Sequence, residues 1–269
     1  MHVSITNEYH SGYTLESSAR FIKNAGYTHI CLSTGQTEPL LGMCDADIIG
    51  TKKVLDAQGL KVDWVHAPHV LPSLYCNERE LWSVSLGSIR KVVEIAGVLQ
   101  ARSVVVHPTC FNCTQPNDHH LFYEQLYKAL VVLVDDANNN NTKIALENLL
   151  EPWINNMVES LLKSIDGLFM CFDTGHANLS NSIEKIIDSC GDKICALHMH
   201  DNFGETDEHL IPGEGNIDWV KVVKMLKARG YNGAWGLECF QKGNNKSGEG
   251  EELAVRIYQF ISDILKLCP

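Results

Sequence analysis

The chain of 269 residues reads as α/β, a single (β/α)8 TIM barrel that spans 1–269 as one domain. Three observations predict it. Short β-rich apolar runs alternate with longer amphipathic stretches from end to end, the order expected of parallel strands joined by right-handed crossovers. Eight such units fill the length, which is the size and count of a closed barrel. The segment 7–14 lacks the glycine-rich phosphate loop that an open doubly wound sheet carries after its first strand.

The units follow in order. The first strand is predicted at 2–6 (HVSIT), with an amphipathic helix at 15–25. The second strand is at 28–32 (THICL) with its helix at 45–58, and the third at 61–66 (KVDWVH) with its helix at 79–99. The fourth, 102–107 (RSVVVH), and the fifth, 142–147 (TKIALE), precede helices at 119–137 and 153–164. The sixth, seventh and eighth strands, 168–173 (LFMCFD), 194–200 (ICALHMH) and 234–239 (AWGLEC), precede helices at 181–190, 217–229 and 250–266. Glycines suited to left-handed helix caps punctuate the series: Gly26, Gly59, Gly167 and the stretch from Gly230 to Gly233 each stand before a strand. The asparagine run 138–141 reads as a short turn, and no linker or low-complexity segment interrupts the pattern.

Composition narrows the function. Hydrophobic residues make up 45% of the chain, ordinary for one continuous core. No apolar run approaches the roughly 20 residues that span a bilayer, and the N-terminus lacks the basic start and apolar stretch of a signal peptide. The expectation is a cytoplasmic protein without a membrane partner. Ten cysteines are then free thiols, with Cys31, Cys171, Cys195 and Cys239 packing as small hydrophobes inside strands. The C-x-x-C pair Cys110 and Cys113 has no second pair to complete a zinc site and reads as loop thiols. A net charge of −11 disfavours polyanionic partners, which are held by clustered Lys and Arg.

Barrel chemistry belongs at the C-terminal ends of the strands, where the loops converge. Those ends carry a coherent set: His66, His107, Glu147, Asp173 with His176 one turn on, His198 and His200, then Asp207 and His209 in the following loop, and Glu238. Imidazoles and carboxylates together suit Zn²⁺, Mn²⁺, Fe²⁺ or Co²⁺, whereas all-oxygen sites suit Mg²⁺. A divalent transition metal is therefore expected. Strand alternation puts His198 and His200 on one face, which leaves His200 open as a metal ligand, a substrate contact or a donor that holds a ligand in place.

The run 198–219 (HMHDNFGETDEHLIPGEGNIDW), with HAPH, VVHP, ALENL, FDTGH and GLEC, resembles the xylose isomerase-like superfamily of sugar isomerases, sugar epimerases and endonuclease IV. The resemblance runs in order over 61–240. It implies that Glu147, Asp173, His198 and Glu238 hold one divalent metal, as in the isomerases and epimerases. It also implies that these four with His66, His107, His176, Asp207 and His209 match the endonuclease positions that hold three zinc ions. One to three ions are thus expected. The flanks depart from the endonuclease pattern: His69 stands where it usually has tyrosine, Gly175 where it has cysteine, and His200 where its strand-seven motif has asparagine. The stretch PGEGNIDW looks like the isomerase and epimerase branch.

Charge supports that branch. The loops 33–44, 67–77, 108–118, 148–152, 174–182 and 201–216 contain no Lys or Arg, while Asp201, Glu205, Asp207, Glu208 and Glu214 crowd the strand-seven loop. A duplex-DNA binder presents phosphate-contacting bases around its mouth. The expected function is therefore a metal-dependent isomerase or epimerase of a small sugar, with Glu147 and Glu238 relaying a proton and His69, His200 and Lys242 contacting substrate. Lys242 and Lys246 lie in 241–250, a loop suited either to phosphate or to solvent. Trp64, Trp153 and Trp219 are candidate apolar walls, Trp64 and Trp219 reading as core. The alternative is an endonuclease IV-like abasic-site phosphodiesterase with a trinuclear zinc cluster.

Overall fold

The computed structural model describes residues 2–10, 13–69, 74, 79–109, 118–240 and 249–268. Eight parallel strands form one sheet: β1 (Val3–Thr6), β2 (His29–Leu32), β3 (Lys61–His66), β4 (Ser103–Val106), β5 (Ile144–Glu147), β6 (Leu168–Asp173), β7 (Ile194–His198) and β8 (Trp235–Leu237). Each pairs with its sequence neighbour, and β8 returns to β1. The last seam, between β7 and β8, closes just above the strand: Met199 N donates to Gly236 O at 2.8 Å and Glu238 N to Met199 O at 3.1 Å. The expected (β/α)8 TIM barrel is the fold.

Ten α-helices accompany the strands among the described residues, two more than the periodicity predicts. They are α1 (Leu15–Asn24), α2 (Thr34–Leu41), α3 (Asp45–Ala57), α4 (Arg79–Leu99), α5 (His119–Asn139), α6 (Pro152–Ser164), α7 (Thr174–Leu179), α8 (Ile183–Cys190), α9 (Trp219–Ala228) and α10 (Glu249–Leu267). The two extra ones are α2 and α7. The first carries Pro39 within it and the second is six residues long, so neither shows helical periodicity. Elsewhere the local chemistry sets the ends: Asp118 caps α5 through the His120 and Leu121 N–H groups, and Pro152 opens α6. At the helix exits, Gly59 and Gly230 take φ of +66° and +82°, the left-handed turn expected before β3 and β8.

Outward strand residues such as Val62, Val65, Leu146 and Leu197 pack under the helices in the main core. The inward set is small: Cys31, Trp64, Val105, Ala145, Cys171, Cys195 and Ala196 fill the barrel. Two bulges shape it. Ile30 pairs with Val62 but Leu32 with Val65, so β3 carries one extra residue, and Asp63 and Trp64 both turn inward. Met170 pairs with Ile194 but Cys171 with Ala196, which turns Cys195 and Ala196 inward and leaves His198 facing the interior. The cysteines expected as small hydrophobes are buried free thiols, and burial pushes Cys195 and Cys239 up to about 12.

Low in the barrel, Asp63 is fully buried. It accepts from Ser4 Oγ at 2.8 Å and pairs with Arg102 Nε at 3.4 Å. Burial raises its carboxyl to about 6 against the opposing pull of Arg102 and Ser4. The folded chain thus keeps this proton where the unfolded chain has lost it, and the group's contribution to stability falls as pH rises from 4 to 6. Asp63→Asn should therefore gain on the wild type across that window, by on the order of 2–3 kcal/mol. Denaturant unfolding of both proteins at pH 4 and pH 7 measures the difference. A pH-independent gap would rule out a buried, proton-holding Asp63.

Candidate functional site

Nine side chains singled out by the sequence converge on the C-terminal mouth. His66, Glu147, Asp173 and His198 end β3, β5, β6 and β7. His107 and Glu238 stand one residue beyond β4 and β8, His176 lies in α7, and Asp207 and His209 lie between β7 and α9. A cavity of about 250 Å³ opens among them. Its described lining includes no Lys or Arg.

Glu147, 1% exposed, organises the cluster. Its Oε2 lies 3.0 Å from His107 Nε2 and 3.4 Å from His66 Nε2. Its Oε1 lies 3.2 Å from His198 Nδ1 and 3.5 Å from His176 Nδ1. The two oxygens therefore face different groups. On the Oε1 side, His198 Nδ1 also stands 3.1 Å from Glu238 Oε2 and 3.7 Å from Asp173 Oδ2. A third group forms where Asp207 Oδ2 lies 3.4 Å from His176 Nε2 and 3.2 Å from His209 Nε2.

Many of these separations have hydrogen-bond length without hydrogen-bond direction. Glu147 Oε2, both nitrogens of His198 and His200 Nδ1 are buried with no hydrogen-bond partner, an expensive condition for polar atoms. Atoms bound at 2.0–2.1 Å to one tetrahedral ion lie about 3.3 Å from one another. Several of the observed spacings fall near that edge, and groups including Glu147–Asp173–His176 and His66–His198–Glu238 have ligand atoms close enough to hold a metal ion. The donor set fits a divalent transition metal.

Electrostatics say the same. Burial works against charge on both Glu147 and Glu238, yet the cationic His198 holds Glu147 well below the usual carboxylate range and Glu238 at about 2. Burial opposes protonation of His176 and His209 as well, and the facing carboxylates overcome it, raising them to about 10 and 9. The charge of the acids is balanced by protons on the imidazoles. A bound cation would supply that charge instead.

Residues 19–261 match the model of a family described as xylose isomerase-like TIM barrel. The chain belongs to this family. An uncharacterised protein of Sinorhizobium fredii is 26% identical over 81% of this chain and 78% of its own length. A probable endonuclease 4 of Staphylococcus aureus is 26% identical over 76% of this chain and 75% of that protein. Among solved structures, a D-tagatose 3-epimerase-like protein is 25% identical with a TM-score of 0.81, covering 100% of this chain and 98% of that one.

Several residues between the matched positions hold this family member's mouth together. Asn148 Oδ1 accepts from Asp173 N at 2.8 Å, while its Nδ2 donates to Asp173 O at 2.9 Å, which fixes the end of β5 to the end of β6. Asp173 caps α7 by accepting from His176 N at 2.7 Å. Asp201 is the hub of the next loop: it accepts from Gly213 N and Trp219 Nε1, both at 2.8 Å, and from Ile217 N at 3.2 Å. The loop thus held carries Asp207 and His209. His209 takes φ +50°, a strained left-handed conformation for a non-glycine residue. It is held there by Phe240 N donating to its carbonyl and by Nδ1 against Glu238 O at 2.9 Å.

The remaining expectations divide. His69 lines the cavity, with its imidazole pulled down to about 4 by burial and by His107 and His66. His200, open between three roles, is fully buried under His209, the rings stacked at 3.9 Å. Its Nε2 lies 3.1 Å from both Asp173 oxygens, and a ring nitrogen of His200 also groups with His209 and Glu238 closely enough to share a metal ion; the described cavity lining does not include it. Lys242, Lys246 and the Cys110–Cys113 pair lie outside the described residues. Trp64 and Trp219 are core; Trp153 packs against His119 and Phe122. None of the three lines the cavity, where Phe240 is the aromatic wall. The sequence does not mark Phe240, Glu8, Ser33 and Thr34, which also line the cavity; Ser33 stands one residue beyond β2 and Glu8 two beyond β1.

Two departures from the endonuclease motif meet in space. A Cβ built on Gly175 would lie 1.9 Å from Cε1 of His200. Gly175→Cys alone should displace the His200 ring from Asp173 and destabilise the fold by about 1–3 kcal/mol. His200→Asn in the same chain should recover much of that loss, because the smaller side chain vacates the space. A double-mutant cycle on denaturant unfolding reads the coupling; simple additivity would show that the two positions do not interact.

Proposed function

We propose that this chain is a divalent-metal-dependent isomerase or epimerase of a small sugar or sugar derivative. One observation carries the reading: Glu147 and Glu238, both held as carboxylates, approach His198 Nδ1 to 3.2 and 3.1 Å at a cavity with no lysine or arginine in its described lining. Its volume of about 250 Å³ is on the scale of a monosaccharide, below the roughly 300–1,000 Å³ of drug-sized pockets. The likeness to a D-tagatose 3-epimerase-like structure supports the same reaction class.

Glu147, Asp173, His198 and Glu238 would hold the reacting metal, and His66, His107, His176, Asp207 and His209 would hold up to two further ions. The bound cation supplies electrophilic polarisation of the substrate's carbonyl and neighbouring hydroxyl. One glutamate, as its carboxylate, would remove the proton from the carbon beside the carbonyl, and the proton it has gained would return to the resulting enediolate, directly or by exchange through solvent to the other glutamate. His200 would orient Asp173 through its Nε2, and Phe240 would cover an apolar face of the sugar. Ser33, buried with its Oγ unpartnered, and Glu8 would receive hydroxyls.

Abasic-site phosphodiester cleavage is the second reading. It is favoured by the convergence of all nine endonuclease-type positions and by the relative named probable endonuclease 4. The acidic loops weigh against a duplex-DNA partner.

Incubating metal-loaded protein with a panel of aldoses and ketoses in D₂O, followed by sugar analysis and mass spectrometry, tests the first reading. Conversion with deuterium beside the carbonyl is expected, and Glu238→Gln should slow it about 10²–10⁴-fold. No conversion of any sugar, with nicking of abasic duplex DNA at low salt, would transfer the assignment to the second reading.

A further inference from the structure

Three imidazoles, rather than the two in the nine-residue set, gather on the Oε2 side of Glu147. His66, His69 and His107 each offer a ring nitrogen, and these atoms lie within 4.8 Å of one another. Their ring centroids stand 4.9 Å apart for His66–His107, 5.0 Å for His69–His107 and 5.7 Å for His66–His69. Zinc–imidazole bonds of about 2.0–2.1 Å put each centroid roughly 3.2 Å from the ion, so imidazoles on one tetrahedral ion have centroids about 5.2 Å apart. The observed triangle brackets that spacing.

The fourth corner is already in place. Glu147 Oε2 lies 3.0 and 3.4 Å from His107 Nε2 and His66 Nε2, close to the tetrahedral edge of about 3.3 Å. His66 Nδ1 stands 2.7 Å from Ala67 O, so the ring donates there and turns Nε2 toward the carboxylate. His69 faces the same cavity. A substrate contact would need only the exposed edge of His69. It would not need ring nitrogens of all three to lie within 4.8 Å of one another, with two of them beside a carboxylate oxygen.

We propose that His69 is the fourth protein ligand of a closed His66–His69–His107–Glu147 site for a divalent transition ion. The proposal rests on the metal-dependent reading above and divides its metals by role. A tetrahedral shell filled by three imidazoles and one carboxylate leaves no open position, whereas the carboxylate-rich Asp173–His198–Glu238 side suits an ion of higher coordination number that keeps positions for substrate. The ion beside His69 is retained and has no position for water or sugar. Substrate is left to the Oε1 side of Glu147, with Asp173, His198 and Glu238.

Zinc is the probe. Full-length wild type, His69→Ala and His69→Gln are loaded with zinc and freed of excess by gel filtration. Zinc per chain is then measured by elemental mass spectrometry, and release is followed with a colorimetric chelator, with circular dichroism melts to establish folding. Wild type should hold a slowly released zinc. In folded variants that fraction should be lost or released at least about tenfold faster. Cobalt-loaded wild type should show intense four-coordinate visible bands that both variants weaken. Glutamine keeps much of the imidazole's size, so it carries the test if the alanine variant does not fold. Unchanged zinc count, release and cobalt spectrum in a folded variant would overturn the role of His69 and leave metal dependence standing. A wild type that takes up no divalent metal would overturn both.

Discussion

The mouth of this barrel depends on one buried carboxylate whose two oxygens face two different sets of histidines. Glu147 sits at the end of β5 with almost no exposed surface, and isolated burial of an ionised carboxylate costs several kcal/mol. It stays charged because His198 beside one oxygen and His107 beside the other overcome the cost of burial. Removing the imidazoles would strand the acid, and removing the acid would leave a crowd of imidazoles with nothing to gather them. The rest of the site can be understood as the means of holding these groups close without letting them collapse into ordinary hydrogen bonds.

Those means are backbone devices and the side chains that fasten them. The bulges in β3 and β7 admit an extra residue each and leave His66 and His198 facing inward at the strand ends. Asn148 ties the backbone of Asp173 to β5, so the two carboxylates keep their spacing. Asp201 draws the strand-seven loop around itself, and the left-handed His209 is fastened to β8 by its carbonyl and its ring. A strained φ and a buried acid are individually unfavourable. They persist because each is over-determined by several contacts.

The fold and the nine converging residues were legible in the sequence because both are periodic facts. A parallel barrel puts its chemistry at strand ends, and a His, Asp or Glu at an apolar strand's last residue needs no tertiary information to find. What stayed hidden depends on contacts between distant segments. Alternation places His200 beside His198, but the strand ends at His198, and His200 turns to stack on His209 and face Asp173. Helix α2 hides behind an internal proline and α7 behind its shortness. Glu8 lies two residues beyond β1, past the strand-end position that marks the others, and the hydroxyl of Ser33 is not a metal-ligand type.

The departures from the endonuclease motif then acquire a common physical sense. Glycine at 175 and histidine at 200 are one change, since a side chain on the first would occupy the ring of the second. That ring supplies Asp173 with a donor, steadying a carboxylate beside His198. Histidine at 69 adds an imidazole to the opposite side of Glu147. Both substitutions thicken the shell of nitrogen around the carboxylates, and neither adds a fixed positive charge at the mouth. A site evolving toward phosphate backbones would gain lysine or arginine there. This one adds imidazoles beside its carboxylates, which strengthens a metal site without a fixed positive charge of its own, and no Lys or Arg stands in the described lining of the cavity.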